Sequence, residues 1–234
     1  YFNGFFIDQS GYEIKIDNEI RDYTLKASLE WFNSNQLTTK YGFEMSRYTF
    51  ELLQNFTGET DSTQSGSSGG EVNLKKHDWN YSLYSQMNYQ LNDFISLQTG
   101  LRGNYWNLSD IFTISPRAAV RYQFSKDYAI KAAWGIFHQN LRLASMQDFS
   151  FFDTWLPTDK SVPSSNAIHY VLTLETSPFE DYDLNFDVYY KSMHNINEVN
   201  QNAFEGDQVA DVFYIGDAHS YGFEMFLQKK IGRL

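Results

Sequence analysis

The chain has 234 residues and a net charge of −11 at pH 7, and 42% of its residues are hydrophobic although the mean hydropathy is −0.50. No run approaches the roughly 20 apolar residues of a transmembrane helix, and the acidic balance argues against a partner made of nucleic acid. The sequence contains no cysteine, which excludes disulfides and thiolate metal sites.

Nine segments alternate apolar and polar residues, as expected of β-strands, whose successive side chains point to opposite faces. In chain order they are 23–32, 37–46, 79–90, 95–105, 112–124, 128–139, 168–175, 184–191 and 221–228. Segment 112–124 is the clearest, because its even positions include Phe112, Ile114 and Val120 whereas its odd positions include Arg117 and Arg121. Part of a further strand fits residues 1–7.

Charged residues gather on the polar face of these segments. They are Lys26, Glu30, Lys40, Glu44, Arg102, Arg117, Arg121, Lys131, Asp187, Lys191 and Glu224. A Lys or Arg on a lipid-facing position at mid-bilayer costs about 2–4 kcal/mol, so this segregation suits a membrane barrel. A soluble sheet would need a layer to cover its apolar face, and no pattern of period 3.6 supplies helices for one. The pattern predicts an all-β, antiparallel transmembrane β-barrel.

The predicted connections alternate between short and long, as in bacterial outer-membrane barrels with short periplasmic turns and longer extracellular loops. Short turns are predicted at 33–36, 91–94, 125–127 and 178–182, and long loops at 56–78, 144–167 and 195–212, with 107–111 the shortest of the long set. Single-chain barrels usually have an even number of strands, and lipid does not tolerate unpaired edges. We therefore expect residues 1–234 to be a contiguous arc of about nine or ten strands from one larger barrel domain.

Several short motifs resemble the middle of the barrel in TonB-dependent outer-membrane transporters of the Bacteroidetes type. In that family a strand with Pro-Arg precedes a strand with a Tyr-Gly-x-Phe-x-Gln-like motif, in which Trp134 takes the place of the tyrosine here. The motifs are Ser115-Pro116-Arg117, Trp134-Gly135-Ile136-Phe137-His138-Gln139, Pro157, Pro163, Val188-Tyr189-Tyr190-Lys191 and Ser220-Tyr221-Gly222-Phe223-Glu224. The resemblance covers most of residues 22–234.

The resemblance implies a 22-stranded barrel with a plugged lumen, placed in the bacterial outer membrane and importing a scarce nutrient. It implies four partners: outer-membrane lipid, the protein's own plug domain, the TonB complex of the inner membrane and, in some systems, a surface lipoprotein. It implies no cofactor. The plug and the closing strands are expected outside this sequence. Residues expected to face the lumen and the plug are Arg102, Arg117, Arg121, Lys131 and Glu224.

Two groups of residues are candidates for binding. The loop at 149–156 carries exposed aromatic residues that suit a binding surface, and Phe151, Phe152 and Trp155 are the candidates for substrate contact. These rings also suit packing between loops or the interfacial aromatic belt, and this is the interpretation that we favour. Arg117 and Arg121 suit either an electropositive lining for an anionic substrate or pairing with the plug or neighbouring carboxylates, which we favour.

No motif indicates catalysis or a metal centre. The five histidines lack metal-binding spacing, and the Gly-x-Ser-x-Gly match at 66–70 lies in a low-complexity run rather than between a strand and a helix. His77-Asp78 is the one pair that suits a barrel protease. The leading alternative is a passive porin-like channel, followed by a barrel enzyme and by a soluble β-sandwich or adhesin.

Overall fold

The computed structural model describes residues 2–9, 12–58, 70–144, 154–158, 160, 163–179, 181–199 and 213–230. These residues form one ten-stranded antiparallel sheet and a separate two-stranded hairpin. The strands are β1 (Phe2–Gln9), β2 (Tyr12–Phe32), β3 (Leu37–Gly58), β4 (Gly70–Gln90), β5 (Ile95–Trp106), β6 (Ile111–Gln123), β7 (Tyr128–Gln139), β8 (Leu141–Ala144), β9 (Thr154–Pro157), β10 (Ser165–Phe179), β11 (Tyr182–Val199) and β12 (Phe213–Lys229).

Each strand of the large sheet pairs with its neighbour in the chain, except that β7 pairs with β10 because the β8–β9 hairpin intervenes. Among the described residues the sheet is an open arc, with β1 and β12 at its two ends. The all-β prediction and the nine predicted strands are confirmed. The further strand predicted near the N-terminus is also present, as β1.

The predicted long loops need correction. Strand β3 continues to Gly58 and β4 begins at Gly70, so much of 56–78 is paired strand, and β11 continues to Val199. The predicted loop 144–167 contains β9, which pairs with β8. These extensions lie beyond the part of the sheet that is apolar on one face, so alternation could not reveal them. Backbone pairing alone defines them.

The register keeps the two faces separate across the whole sheet. One row contains Leu97, Val120, Ala132, Leu172, Val188 and Phe223 in directly paired positions of β5, β6, β7, β10, β11 and β12. A row on the opposite face contains Arg117, Gly135, His169, Lys191 and Ser220. Because paired residues point to the same side, the first row belongs to an apolar face and the second to a polar face, which are called the outer face and the lumen face below.

Nothing in the described part of the chain covers the apolar outer face. Leu83 is 67% exposed and Phe223 81% exposed, whereas Ile16, Phe50, Trp106, Ala129 and Leu156 are the buried hydrophobic residues among those described. A soluble sheet would bury such a face against a second layer. No helix in the described ranges is long and apolar enough to cross a membrane.

Aromatic residues border the apolar band on the outer face. Tyr81, Tyr105 and Phe112 occupy one row near the edge with the long loops, and the rings of Tyr122, Phe124 and Tyr128 follow one another at 6.2 and 5.9 Å near the edge with the short turns. Aromatic girdles of this kind flank the apolar band of membrane barrels. The span from Phe112 to Tyr122 matches the roughly 9–11 residues that a tilted strand needs to cross a bilayer.

A β-bulge interrupts the β11–β12 pairing between Met193 and Ile196. Asn195 has a φ of 54°, and its backbone N–H donates to Asp217 Oδ1 at 3.2 Å. His194 Nδ1 lies 3.3 Å from Asp217 Oδ2, and its bond with that carboxyl lowers the pKa of Asp217. The contacts of His194 and Asn195 with Asp217 thereby hold the bulged end of β11, which lies beyond the apolar band, against β12.

Candidate functional site: the lumen face of the sheet

The lumen face is the candidate site because the sheet places the predicted charged residues there on neighbouring strands. Arg102 lies on β5, Arg117 and Arg121 on β6, Lys131 on β7 and Glu224 on β12. Paired positions connect them: Arg121 is directly opposite Lys131, and Glu224 is directly opposite Asp187 of β11. Which of them contact a plug or a substrate stays a prediction.

Arg102 is held in a network of polar side chains. Its Nη2 lies 3.4 Å from Glu44 Oε2 and donates to Ser82 Oγ at 2.9 Å, while its Nε donates to Asn104 Oδ1 at 2.9 Å. Lys26 Nζ approaches the same Glu44 oxygen at 3.5 Å. Arg102 is thus already engaged by residues of β3, β4 and β5, which makes it a support of the wall rather than a free binding group.

Arg121 is neutralised across β7. Its Nε donates to Glu175 Oε2 of β10 at 2.6 Å, and its Nη1 donates to Gln123 Oε1 at 3.1 Å. For Arg121, the structure therefore agrees with the interpretation that the arginine pairs with a carboxylate rather than lining an open anion site. The partner, Glu175, belongs to the wall itself. Asp187 is also engaged, since it accepts a hydrogen bond from the hydroxyl of Thr173.

Arg117 differs from Arg121 although both lie on the same strand and face. Within the described ranges no carboxylate pairs with Arg117, and its guanidinium carbon lies 5.4 Å from the centre of the Phe137 ring. Lys131 likewise has no ion pair with any described residue. Together they line a lumen-side depression of about 290 Å³.

Sequence reasoning missed the other residues of this depression. Gln86, Gln98, Phe137 and His169 line it, and the rings of Phe137 and His169 are 4.6 Å apart between centroids. The signal in the sequence was the pair of polar-face glycines Gly100 and Gly135. Only the strand register places both beside Arg117.

The extracellular-loop candidates are only partly placed. Trp155 lies in β9, half-buried and paired with Leu143 of β8, while Phe151 and Phe152 lie outside the described residues. Nearby, Arg142 is buried and its Nη2 donates to the carbonyl of Pro163. Substrate contact by the three aromatic residues stays a prediction.

The His77-Asp78 pair does not form a catalytic dyad. Adjacent residues of β4 point to opposite faces, and His77 is exposed with its Nδ1 3.0 Å from Thr49 Oγ1. Asp78 is buried and accepts from the Leu108 N–H at 2.8 Å, so it anchors the turn that joins β5 to β6. Burial raises the pKa of the Asp78 carboxyl. No group of three potential metal ligands converges within the described ranges.

Solved structures resemble this sheet over nearly its whole length. The chain matches the ferric yersiniabactin uptake receptor FyuA of Yersinia pestis with a TM-score of 0.66 and 10% identity, covering 98% of this chain and 35% of the receptor. It matches a mutant of the ferric enterobactin receptor PfeA of Pseudomonas aeruginosa with a TM-score of 0.63 and 13% identity, covering 92% and 37% of the two chains. For the RagAB peptide transporter the TM-score is 0.60 at 12% identity, with coverage of 95% and 29%.

No protein-family model and no curated protein matches this sequence. The chain spans about a third of the length of the structures that it resembles. At this level of identity the likeness defines the fold. The chain therefore has the fold of the β-barrels of TonB-dependent outer-membrane receptors and transporters.

Proposed function

We propose that this chain is part of the barrel wall of a TonB-dependent transporter that imports a scarce nutrient across the bacterial outer membrane. The observation that carries the proposal is the two-sided sheet. Its outer face is apolar and uncovered, its lumen face is charged, and its arrangement follows that of known outer-membrane receptors over 92–98% of its length. A wall of this kind separates lipid from a polar interior.

The residues 1–234 would belong to a single barrel domain, with the plug and the closing strands in other parts of the protein. In this role the wall binds lipid on one side and the plug on the other, and no covalent chemistry is required. Arg102, Arg117, Arg121, Lys131 and Glu224 would line the space around the plug. The matched structures are a ferric enterobactin receptor, a ferric yersiniabactin uptake receptor and a peptide transporter, so the proposed cargo is a ferric chelate or a peptide. The proposed partners are the TonB complex and a surface lipoprotein.

Energy dependence tests this proposal against the passive-channel alternative. The gene for the full-length protein is deleted in its host, and growth is compared on limiting iron, cobalamin, glycan or peptide sources. We expect a defect on one source that deletion of TonB reproduces and that the wild-type gene corrects. Purified full-length protein should also show no steady open-channel conductance in a planar bilayer, because a plug closes the lumen. Growth independent of TonB, together with steady conductance, would identify a porin-like channel instead.

A further inference from the structure

Three neighbouring strands carry a concentration of positive charge on the lumen side of an otherwise acidic chain. Strands β5, β6 and β7 contribute Arg102, Arg117, Arg121 and Lys131 to this face. From residue 95 to residue 139 the only acidic residues are Asp110 and Asp127, and both lie in turns. The net charge of the whole chain is −11, so this local excess runs against the overall composition.

Two of these cations are neutralised by carboxylates and two are not. Glu44 approaches Arg102 at 3.4 Å and Glu175 approaches Arg121 at 2.6 Å. By contrast, Arg117 and Lys131 have no carboxylate partner in the part of the chain that the structure describes. Arg117 is exposed on this face and Lys131 is half-buried, so both charged groups are accessible from the lumen side.

The neighbouring strands leave space for the side chain of Arg117. Its two cross-strand neighbours are both glycines, Gly100 on β5 and Gly135 on β7. A Cβ atom at Gly100 would come within 3.0 Å of Arg117 Cγ, and one at Gly135 would lie 3.3 Å from Arg117 Cβ. The absence of side chains at both positions lets the Arg117 side chain lie along the sheet with its guanidinium over the Phe137 ring.

A third cation lies next to the aromatic side of the depression. The His169 ring contacts the Phe137 ring at an angle of 38°, and His169 is directly paired with Lys191 of β11. Lys191 Nζ lies 4.8 Å from the centre of the Tyr189 ring and forms no ion pair with any described residue. The depression is therefore bordered by positive charge on β6, β7 and β11.

From these observations we infer that the depression is a binding site for a dissolved anion, with Arg117 and Lys131 as its ligands and Lys191 adding to the field. The ligand class is a carboxylate or phosphate group on a small molecule in the lumen. A guanidinium offers a planar fork of donors that matches either group, and an ammonium adds a point charge. The volume of about 290 Å³ accommodates such a group with part of the molecule that carries it. The inference requires that this face be the lumen, and it goes beyond TonB-dependent transport.

The test measures the electrostatic potential at the depression in the full-length protein. Ala133 lines the depression, and the chain contains no cysteine of its own, so Ala133→Cys provides a defined thiol once any cysteine elsewhere in the protein is replaced by serine. Its reaction rates are measured with an anionic sulfonatoethyl and a cationic trimethylammonioethyl methanethiosulfonate. Relative to a free small thiol, we expect the anionic reagent to be favoured by at least about tenfold.

Two comparisons make the result specific. Changing Arg117→Gln and Lys131→Gln together should remove most of this preference, whereas Lys126→Gln in the β6–β7 turn should leave it unchanged. Millimolar citrate or inorganic phosphate should slow the anionic reagent in the parent protein but not in the double variant.

An equal rate for the two reagents in the parent protein would overturn the inference. So would slow reaction with both reagents that neither citrate nor phosphate alters, because another part of the protein would then fill the depression. The measurement needs no transport, so failure of the proposed import function leaves it interpretable.

Discussion

At the residue scale, aromatic side chains cover glycines on the lumen face. A Cβ atom at Gly42 would lie 2.0 Å from Cζ of Tyr84, its cross-strand partner, and one at Gly222 would lie 2.7 Å from the hydroxyl of Tyr189. A glycine has no side chain to pack on the sheet, and an aromatic ring from the paired strand can cover it and stabilise the pairing there. The Tyr84 ring held in this way lies 5.9 Å below the Arg102 guanidinium, so Gly42 indirectly positions that network.

We predict that Gly42→Val destabilises the barrel by about 1–2 kcal/mol, because Tyr84 must leave its place over residue 42. The measurement is the midpoint temperature of thermal unfolding of the full-length protein. Unfolding is detected by the change in electrophoretic mobility between the folded and the unfolded form, in samples that are not boiled. Adding Tyr84→Ala to Gly42→Val should recover part of the loss.

Gly216→Val is the matched control, since outside its two chain neighbours no atom of the described residues lies within 4 Å of a Cβ atom at this position. A loss at position 216 as large as that at position 42 would contradict the role of the covering ring.

At the element scale, strand β6 has one face suited to lipid and one face suited to a polar interior. Val120 is 38% exposed on the outer face and pairs with Leu97 and Ala132, whereas Arg121 on the lumen face reaches Glu175. An arginine on the outer face would sit in hydrocarbon. The same residue on the lumen face finds water and a carboxylate.

We therefore predict that Val120→Arg blocks assembly of the barrel, at a cost of about 2–4 kcal/mol for a charge near the middle of the bilayer. Arg121→Gln should be tolerated, because a partly exposed ion pair contributes only about 0–1 kcal/mol. The amount of folded protein in purified outer membranes measures both effects.

Val120→Leu controls for the position itself and should assemble normally. If Val120→Arg and Arg121→Gln lowered the folded amount equally, the assignment of the two faces would be wrong.

At the scale of the whole molecule, the sheet is stabilised by pairing between strands rather than by a buried apolar core. The few buried hydrophobic residues contrast with exposed aromatic and aliphatic side chains on most strands, from Leu25 at 60% exposure to Phe223 at 81%. An apolar face of this size requires a covering phase. In the proposed setting this phase is the lipid of the outer membrane.

We predict that nitroxide labels at Leu97, Val120 and Trp134 are accessible to dissolved oxygen and shielded from a water-soluble nickel chelate. The preceding residues on the lumen face give matched controls: labels at Ser96, Ala119 and Ala133 should show the reverse preference wherever water fills the lumen. Power-saturation electron paramagnetic resonance of the full-length protein in lipid measures both accessibilities. Equal access of the chelate to both sets would refute the membrane assignment.

The central parts of the strands could be predicted from the sequence, whereas the ends of several strands could not. Alternation located every central strand, because one face meets an apolar phase and the other a polar one, and the cost of a misplaced charge enforces the pattern along each strand. The extensions of β3, β4 and β11 escaped detection because both of their faces lie outside the apolar band, where nothing enforces alternation.

The sequence by itself determined the all-β class, the two faces of β6 and the placement of Arg117 and Arg121 on the same face. It did not separate the roles of these two arginines, since their local patterns are equivalent. The tertiary structure decided that question, because the register brings Glu175 of β10 to Arg121 and places Gly100 and Gly135 on either side of Arg117. Side-chain parity is a local property of a strand, whereas charge compensation depends on which strands become neighbours.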